Sequence, residues 1–164
     1  MAITDNVETE RKFLVRPDLL ETLTEGSSIV QGYFRSEGRA SIRVRLTPAS
    51  GISTLTIKGP RVGFSRVEYE HNLPDEVAQL MFEACGSRTV EKTRHPLAGP
   101  DGKMWVIDVF HGANEGLVLA ELELQDSRET FTQPDWVTDE VTDDDRYYNE
   151  YLADYPYKDW AEFA

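Results

Sequence analysis

Cysteine is almost absent. Cys85 stands alone among 164 residues, so no disulfide can form within the chain. A single thiol suits a reducing compartment, and a cytoplasmic location is expected. No run of about 18 apolar residues occurs, so no transmembrane helix is expected. Met1 to Asp5 lack a basic patch followed by an apolar stretch, so no signal peptide is expected either. Histidine is scarce, and His71, His95 and His111 are too scattered to form a ligand set. Gly59-Pro60-Arg61-Val62-Gly63 lacks the Gly-Lys-Ser/Thr end of a phosphate-binding P-loop. Asp143-Asp144-Asp145 lacks the spacing and terminal Glu of a calcium loop. Bases are outnumbered, 17 Lys and Arg against 30 Asp and Glu, for a net charge of −13. Such a surface repels nucleic acid and anionic membranes, and neither is expected as a partner. A small anion is not excluded, because a local basic cluster can bind one whatever the global sign.

What is present is alternation. Period-two patterns predict strands near residues 3–15, 28–36, 40–47, 52–59, 64–72, 87–97, 103–111 and 116–126. Turn residues at Glu37-Gly38, Pro48 to Gly51, Gly59 to Gly63 and Gly99 to Gly102 separate most of them. Pro74-Asp75-Glu76 opens a helix with an apolar face of Val77, Leu80, Met81 and Ala84, and Gly86 ends it. A short helix is expected from Pro17 to about Glu25, another at Trp136-Val137, and a last one from Arg146 to about Ala153. Forty per cent apolar content over this length fits one domain, residues 1–164.

Side chains two apart on a strand share a face. Glu8, Glu10 and Lys12 therefore share one, as do Arg43 and Arg45. Lys58 opposes Leu55 and Ile57. Arg66, Glu68 and Glu70 oppose Val67 and Tyr69. Lys92 and Arg94 share a face with Val90. Asp108 opposes Ile107 and Val109, and Glu121 and Glu123 oppose Ala120, Leu122 and Leu124. An ordinary antiparallel sheet with its charged face in water explains any one of these strands. It explains the set less well, because the charges come as dense pairs and triplets, balanced in sign, in a strongly acidic chain. The competing arrangement closes about eight strands into a barrel with the charges inside and the apolar residues turned out under helices. Burying such charges is costly unless each is paired or ligand-bound. A highly charged anion with divalent cations supplies partners for both signs. Arg and Lys bind phosphate oxygens, and Mg²⁺ or Mn²⁺ prefer carboxylates.

The segment Val7-Glu8-Thr9-Glu10-Arg11-Lys12-Phe13-Leu14-Val15 resembles the CYTH, or triphosphate tunnel metalloenzyme, family through its Glu-x-Glu-x-Lys signature. The likeness continues in order. It runs through Gln31-Gly32-Tyr33, Arg43-Val44-Arg45, Leu55-Thr56-Ile57-Lys58-Gly59 and Ser65-Arg66-Val67-Glu68-Tyr69-Glu70. Then come Glu91-Lys92-Thr93-Arg94, Asp108-Val109-Phe110-His111-Gly112 and Leu119-Ala120-Glu121-Leu122-Glu123-Leu124. Val141-Thr142 to Arg146-Tyr147-Tyr148-Asn149 looks like the short bacterial members; residues 154–164 lie outside the likeness.

The resemblance implies a mainly β fold of the α+β class. It is an eight-stranded antiparallel closed barrel with helices packed outside and a C-terminal helix. It also implies metal-dependent hydrolysis of triphosphate to diphosphate and phosphate. Carried over by position, Lys12, Arg43, Arg45, Lys58, Lys92 and Arg94, with Arg66, would bind phosphates. Glu8, Glu10, Glu68, Glu70, Asp108, Glu121 and Glu123 would hold Mg²⁺ or Mn²⁺ or orient the bases. Catalysis is expected from Glu10 and Lys12, and from Tyr33 acting as a base if Lys12 lowers its pKa. A thiamine triphosphatase, a class IV-type adenylyl cyclase and a non-catalytic polyphosphate-binding module remain alternatives. A monomer or homodimer is expected.

Overall fold

Alternation builds nine strands in the computed structural model, which describes residues 7–160. They are β1 (Val7–Val15), β2 (Ser27–Tyr33), β3 (Ser41–Leu46), β4 (Ser53–Lys58), β5 (Ser65–Leu73), β6 (Thr89–Ala98), β7 (Met104–Phe110), β8 (Val118–Leu124) and β9 (Val137–Glu140). All pairings are antiparallel, in the order β5-β4-β3-β2-β6-β7-β8-β1-β9. A further pairing of β5 with β1, at Val7↔Val67, Glu8↔Arg66 and Thr9↔Ser65, closes strands β1 to β8 into a barrel. Closure leaves no free edge among these eight strands. Of the expected first strand, residues 3–6 lie outside the described residues.

The register confirms the shared faces. Lys12 lies opposite Glu121, Glu10 opposite Glu123, Lys58 opposite Glu68 and Arg94 opposite Asp108. The other face is apolar. Phe13, Trp105, Ile107, Ala120 and Leu122 pack there with Leu19 and Val137. Helix α1 (Asp75–Ala84) covers β2, β3 and β4 through Ala78, Met81 and Phe82 against Val44. Gly32 permits this approach, since a Cβ there would sit 2.7 Å from Cys85 Sγ.

Four expectations need correction. Trp136-Val137 does not form a helix. Val137 starts β9, which pairs with the second half of β1 where β5 has diverged. The Pro17 helix is a single 3₁₀ stretch ending at Thr22. The last helix is broken: a 3₁₀ turn at Asp145–Tyr147 precedes α2 (Asn149–Asp154). Finally, helices do not cover the whole outer face. Val7, Ile57 and Val67, on the β1–β5–β4 wall, stay substantially exposed. The lumen face is not charged throughout either. Near the ends of β1, β2 and β7 it becomes apolar. There Leu14, Tyr33, Val90, Phe110 and Leu119 pack against Tyr147 and Leu152 of the C-terminal segment.

Candidate functional site

A cavity of about 530 Å³ occupies the lumen and its mouth. Its wall carries Glu8, Glu10, Lys12, Tyr33, Arg43, Arg45, Lys58, Arg66, Glu68, Lys92, Arg94 and Glu121. Those residues were all singled out from sequence. Glu70, Asp108 and Glu123 are not on the wall. Glu70 is exposed and accepts from Thr56 Oγ1 at 3.1 Å. Glu123 is exposed. Asp108 is fully buried. Both its oxygens are taken, by a two-pronged contact from Arg94 at 2.8 Å and by Lys92 Nζ at 2.6 Å.

The barrel order places β2 across from β1. The two strands flanking β2 are β3 and β6, so Arg43, Arg45, Lys92 and Arg94 form a cationic wall. β1 and β8 bring Glu8, Glu10, Glu121 and Glu123 to the opposite side. Ion pairs run within the acidic side and, through Arg94 and Glu121, between the two walls. Lys12 Nζ reaches Glu121 at 2.6 Å and Glu10 at 3.3 Å, Lys58 Nζ reaches Glu8 at 2.5 Å, and Arg94 reaches Glu121 at 3.2 Å.

The titration of these groups reports the imbalance. Burial, with Arg43 and Arg94 nearby, pushes Arg45 down to about 10. Burial pushes Lys92 down to about 7; Asp108 opposes this and Arg94 adds to it. On the other side burial raises Glu10, with Glu121 and Glu8 adding to the rise. Burial likewise raises Glu8, helped by a hydrogen bond with Glu68, and raises Glu123 beside Glu8 and Glu10. Lys12 differs: burial opposes its charge, but Glu121 and Glu10 outweigh it and hold the ammonium above its ordinary range. Two groups run the other way although burial opposes their charge: Asp108 raises Arg94, and Lys12 with Arg94 holds Glu121 well below its ordinary range. Bases nonetheless predominate along β3 and β6, and acids along β1 and β8. The expected lowering of Tyr33 by Lys12 does not occur. Burial raises the phenol against Arg43, Arg45 and Lys58, and its oxygen accepts from Gln31 Nε2 at 2.9 Å.

Comparison with known proteins agrees with this geometry. A profile of the CYTH domain matches residues 6–152. The chain belongs to the CYTH family. An inorganic triphosphatase of Acetivibrio thermocellus is 40% identical over 94% of this chain and 98% of its own length. One of Nitrosomonas europaea is 36% identical over 89% and 96%. A crystal structure of an inorganic triphosphatase superposes with a TM-score of 0.63 at 33% identity, covering 89% of this chain and 93% of that one.

As a CYTH domain, the chain places further residues at the cavity that strand parity does not reveal. Asn149 Oδ1, at the start of α2, accepts from Lys92 Nζ at 3.0 Å and from Gln31 Nε2 at 2.8 Å. Gln31 in turn accepts from Arg45 Nε at 3.3 Å. Arg88 forks onto Asp154 at 2.7 and 2.8 Å, fastening α2 to the rim. Arg61, Tyr148, Tyr151 and Tyr155 line the mouth. These lie in turns or on a helix too short to show periodicity. The sequence signals are the continuation of the likeness through Asn149 and the run of C-terminal aromatics, which packs on the barrel or gates a tunnel mouth.

The acidic wall fits a hard divalent cation by donor chemistry. Burial leads the effects that raise Glu8, Glu10 and Glu123, with neighbouring carboxylates adding to it, and a cation would favour their ionised forms. Among the described residues no three acids or histidines converge into a ready cluster.

Proposed function

We propose that this CYTH domain hydrolyses inorganic triphosphate to diphosphate and phosphate with Mg²⁺ or Mn²⁺. The observation that carries this is the polarised lumen, cationic along β3 and β6 and anionic along β1 and β8. Its support from outside is the likeness to two inorganic triphosphatases over nearly the whole chain.

Phosphoryl transfer demands charge neutralisation and alignment more than covalent help. Arg43, Arg45, Lys92 and Arg94 grip phosphoryl oxygens, and an anion there restores full charge to Lys92. Lys58 and Arg66 extend that grip toward β1. Asp108 holds Lys92 and Arg94 in place from below. Lys12, firmly charged within the acidic wall, stabilises charge on the phosphoryl group being transferred. Glu8, Glu10 and Glu123 would hold the metal, with Glu121 and Glu68 orienting Lys12 and Lys58, and Glu70 orienting Arg43 through Thr56. A bound metal would supply charge neutralisation and lower the pKa of a water. Glu10 would be the proton acceptor on the protein. Tyr33 retains its proton and donates it in a hydrogen bond to a phosphoryl oxygen.

The mouth offers Tyr148, Tyr151 and Tyr155 as ring surfaces, so thiamine triphosphate and ATP belong in the same assay. Phosphate and cyclic AMP are measured after incubation with each substrate and Mg²⁺ or Mn²⁺. Inorganic triphosphate is expected to give the highest turnover, and Glu10→Gln to lower it by at least about 100-fold. Cyclic AMP from ATP, full activity in Glu10→Gln, or preference for thiamine triphosphate would each refute the assignment.

A further inference from the structure

Arg61 stands apart from the lumen bases. It sits in the turn between β4 and β5 and yet lines the cavity. Its Nη1 donates to the Thr142 carbonyl at 2.6 Å. Its guanidinium lies over the Tyr148 ring, 4.6 Å from the centroid. Its other neighbours are Asp143 and Asp145, each at 3.8 Å and each mostly exposed, at 79% and 87%. These carboxylates are beyond hydrogen-bond distance and open to solvent, so they hold the arginine weakly.

The Tyr148 ring has a second cation near it. Lys12 Nζ is 4.9 Å from the same centroid. Tyr148 is itself fixed by its hydroxyl, which donates to the Thr142 carbonyl at 2.8 Å. Lys12 and Arg61 thus meet at one aromatic ring, which puts Arg61 within a triphosphate's reach of the charged end of the lumen. An arginine fork pairs far better with phosphoryl oxygens than with two distant, hydrated carboxylates.

We propose that Arg61 is a substrate-binding residue at the mouth, held in the free enzyme by the Thr142 carbonyl and the Tyr148 ring with Asp143 and Asp145 only loosely associated, and transferred to the outermost phosphoryl group of bound triphosphate. The acidic loop then acts as a competitor for the arginine, and Tyr148 as the surface over which the guanidinium turns. This rests on the triphosphate reading of the lumen.

Titration calorimetry of inorganic triphosphate into metal-free protein tests it without turnover. Arg61→Gln is expected to weaken binding about tenfold, and Arg61→Lys to recover part of that loss. Asp143→Asn with Asp145→Asn is expected to tighten binding about threefold in the native background and to have little effect when Arg61 is already Gln. Unchanged affinity in Arg61→Gln overturns the proposal while leaving the lumen reading intact. Equal tightening in both backgrounds also overturns it, because the acids would then act only through the general field. No binding by the unaltered protein removes both.

Discussion

At the scale of single residues, burial makes partners compulsory. Lys92 and Asp108 are nearly and fully enclosed, and each supplies the other's counter-charge at 2.6 Å. Removing one charge leaves the other stranded in a low-dielectric interior. Asp108→Asn is therefore expected to destabilise the fold by about 3 kcal/mol, read as a lower urea midpoint with unchanged slope. A midpoint equal to the unaltered protein's would show that the pair is not structurally required. Tyr33 follows the same rule. Its burial, not its basic neighbours, sets its pKa, which is why a sequence-level argument from a nearby lysine misjudged its direction.

At the scale of elements, β9 is held across β1 by a strap. Arg11 donates to Glu140 at 2.5 and 2.6 Å, and Glu140 also accepts from Thr142. The hydrogen bond from Arg11 leads the effects that lower the Glu140 pKa. A depressed carboxylate stabilises fully above its unfolded value, near 4.5, and loses that contribution as pH falls through the folded value. Glu140→Gln should cost about 0.5–1 kcal/mol at pH 7, discounted for partial exposure, and the difference should vanish in strong acid. A pH-independent difference would mean the strap acts by shape alone. The seat of α1 is a second case. Gly32→Ala drives a Cβ into Cys85 and should cost about 1–3 kcal/mol in thermal or urea denaturation, whereas an unchanged midpoint would show that α1 shifts freely. The eight barrel strands were legible because a period of two and the sign of charge coincide in them. Glu8, Glu10 and Lys12 could hardly share a face with Phe13. β9 was not legible, because four residues carry no period and Trp136-Val137 reads equally as a helical turn. Arg61, Arg88 and Asn149 were missed for a related reason: they enter the site from turns and a six-residue helix, where position depends on how the chain closes.

At the scale of the whole molecule, a chain of net charge −13 concentrates cations on one inner wall and sets surplus acids opposite. Parity placed these charges on shared faces; barrel closure turned the faces inward and separated the signs. The β5–β1 pairing that closes the barrel is thus what converts seven charged strand faces into a single site. The most direct test follows inorganic triphosphate by ³¹P NMR with the protein and Mg²⁺ or Mn²⁺, then after chelation. The account predicts equimolar phosphate and diphosphate, diphosphate that persists, and arrest on chelation. Undiminished turnover without metal, or no turnover with it, would contradict it.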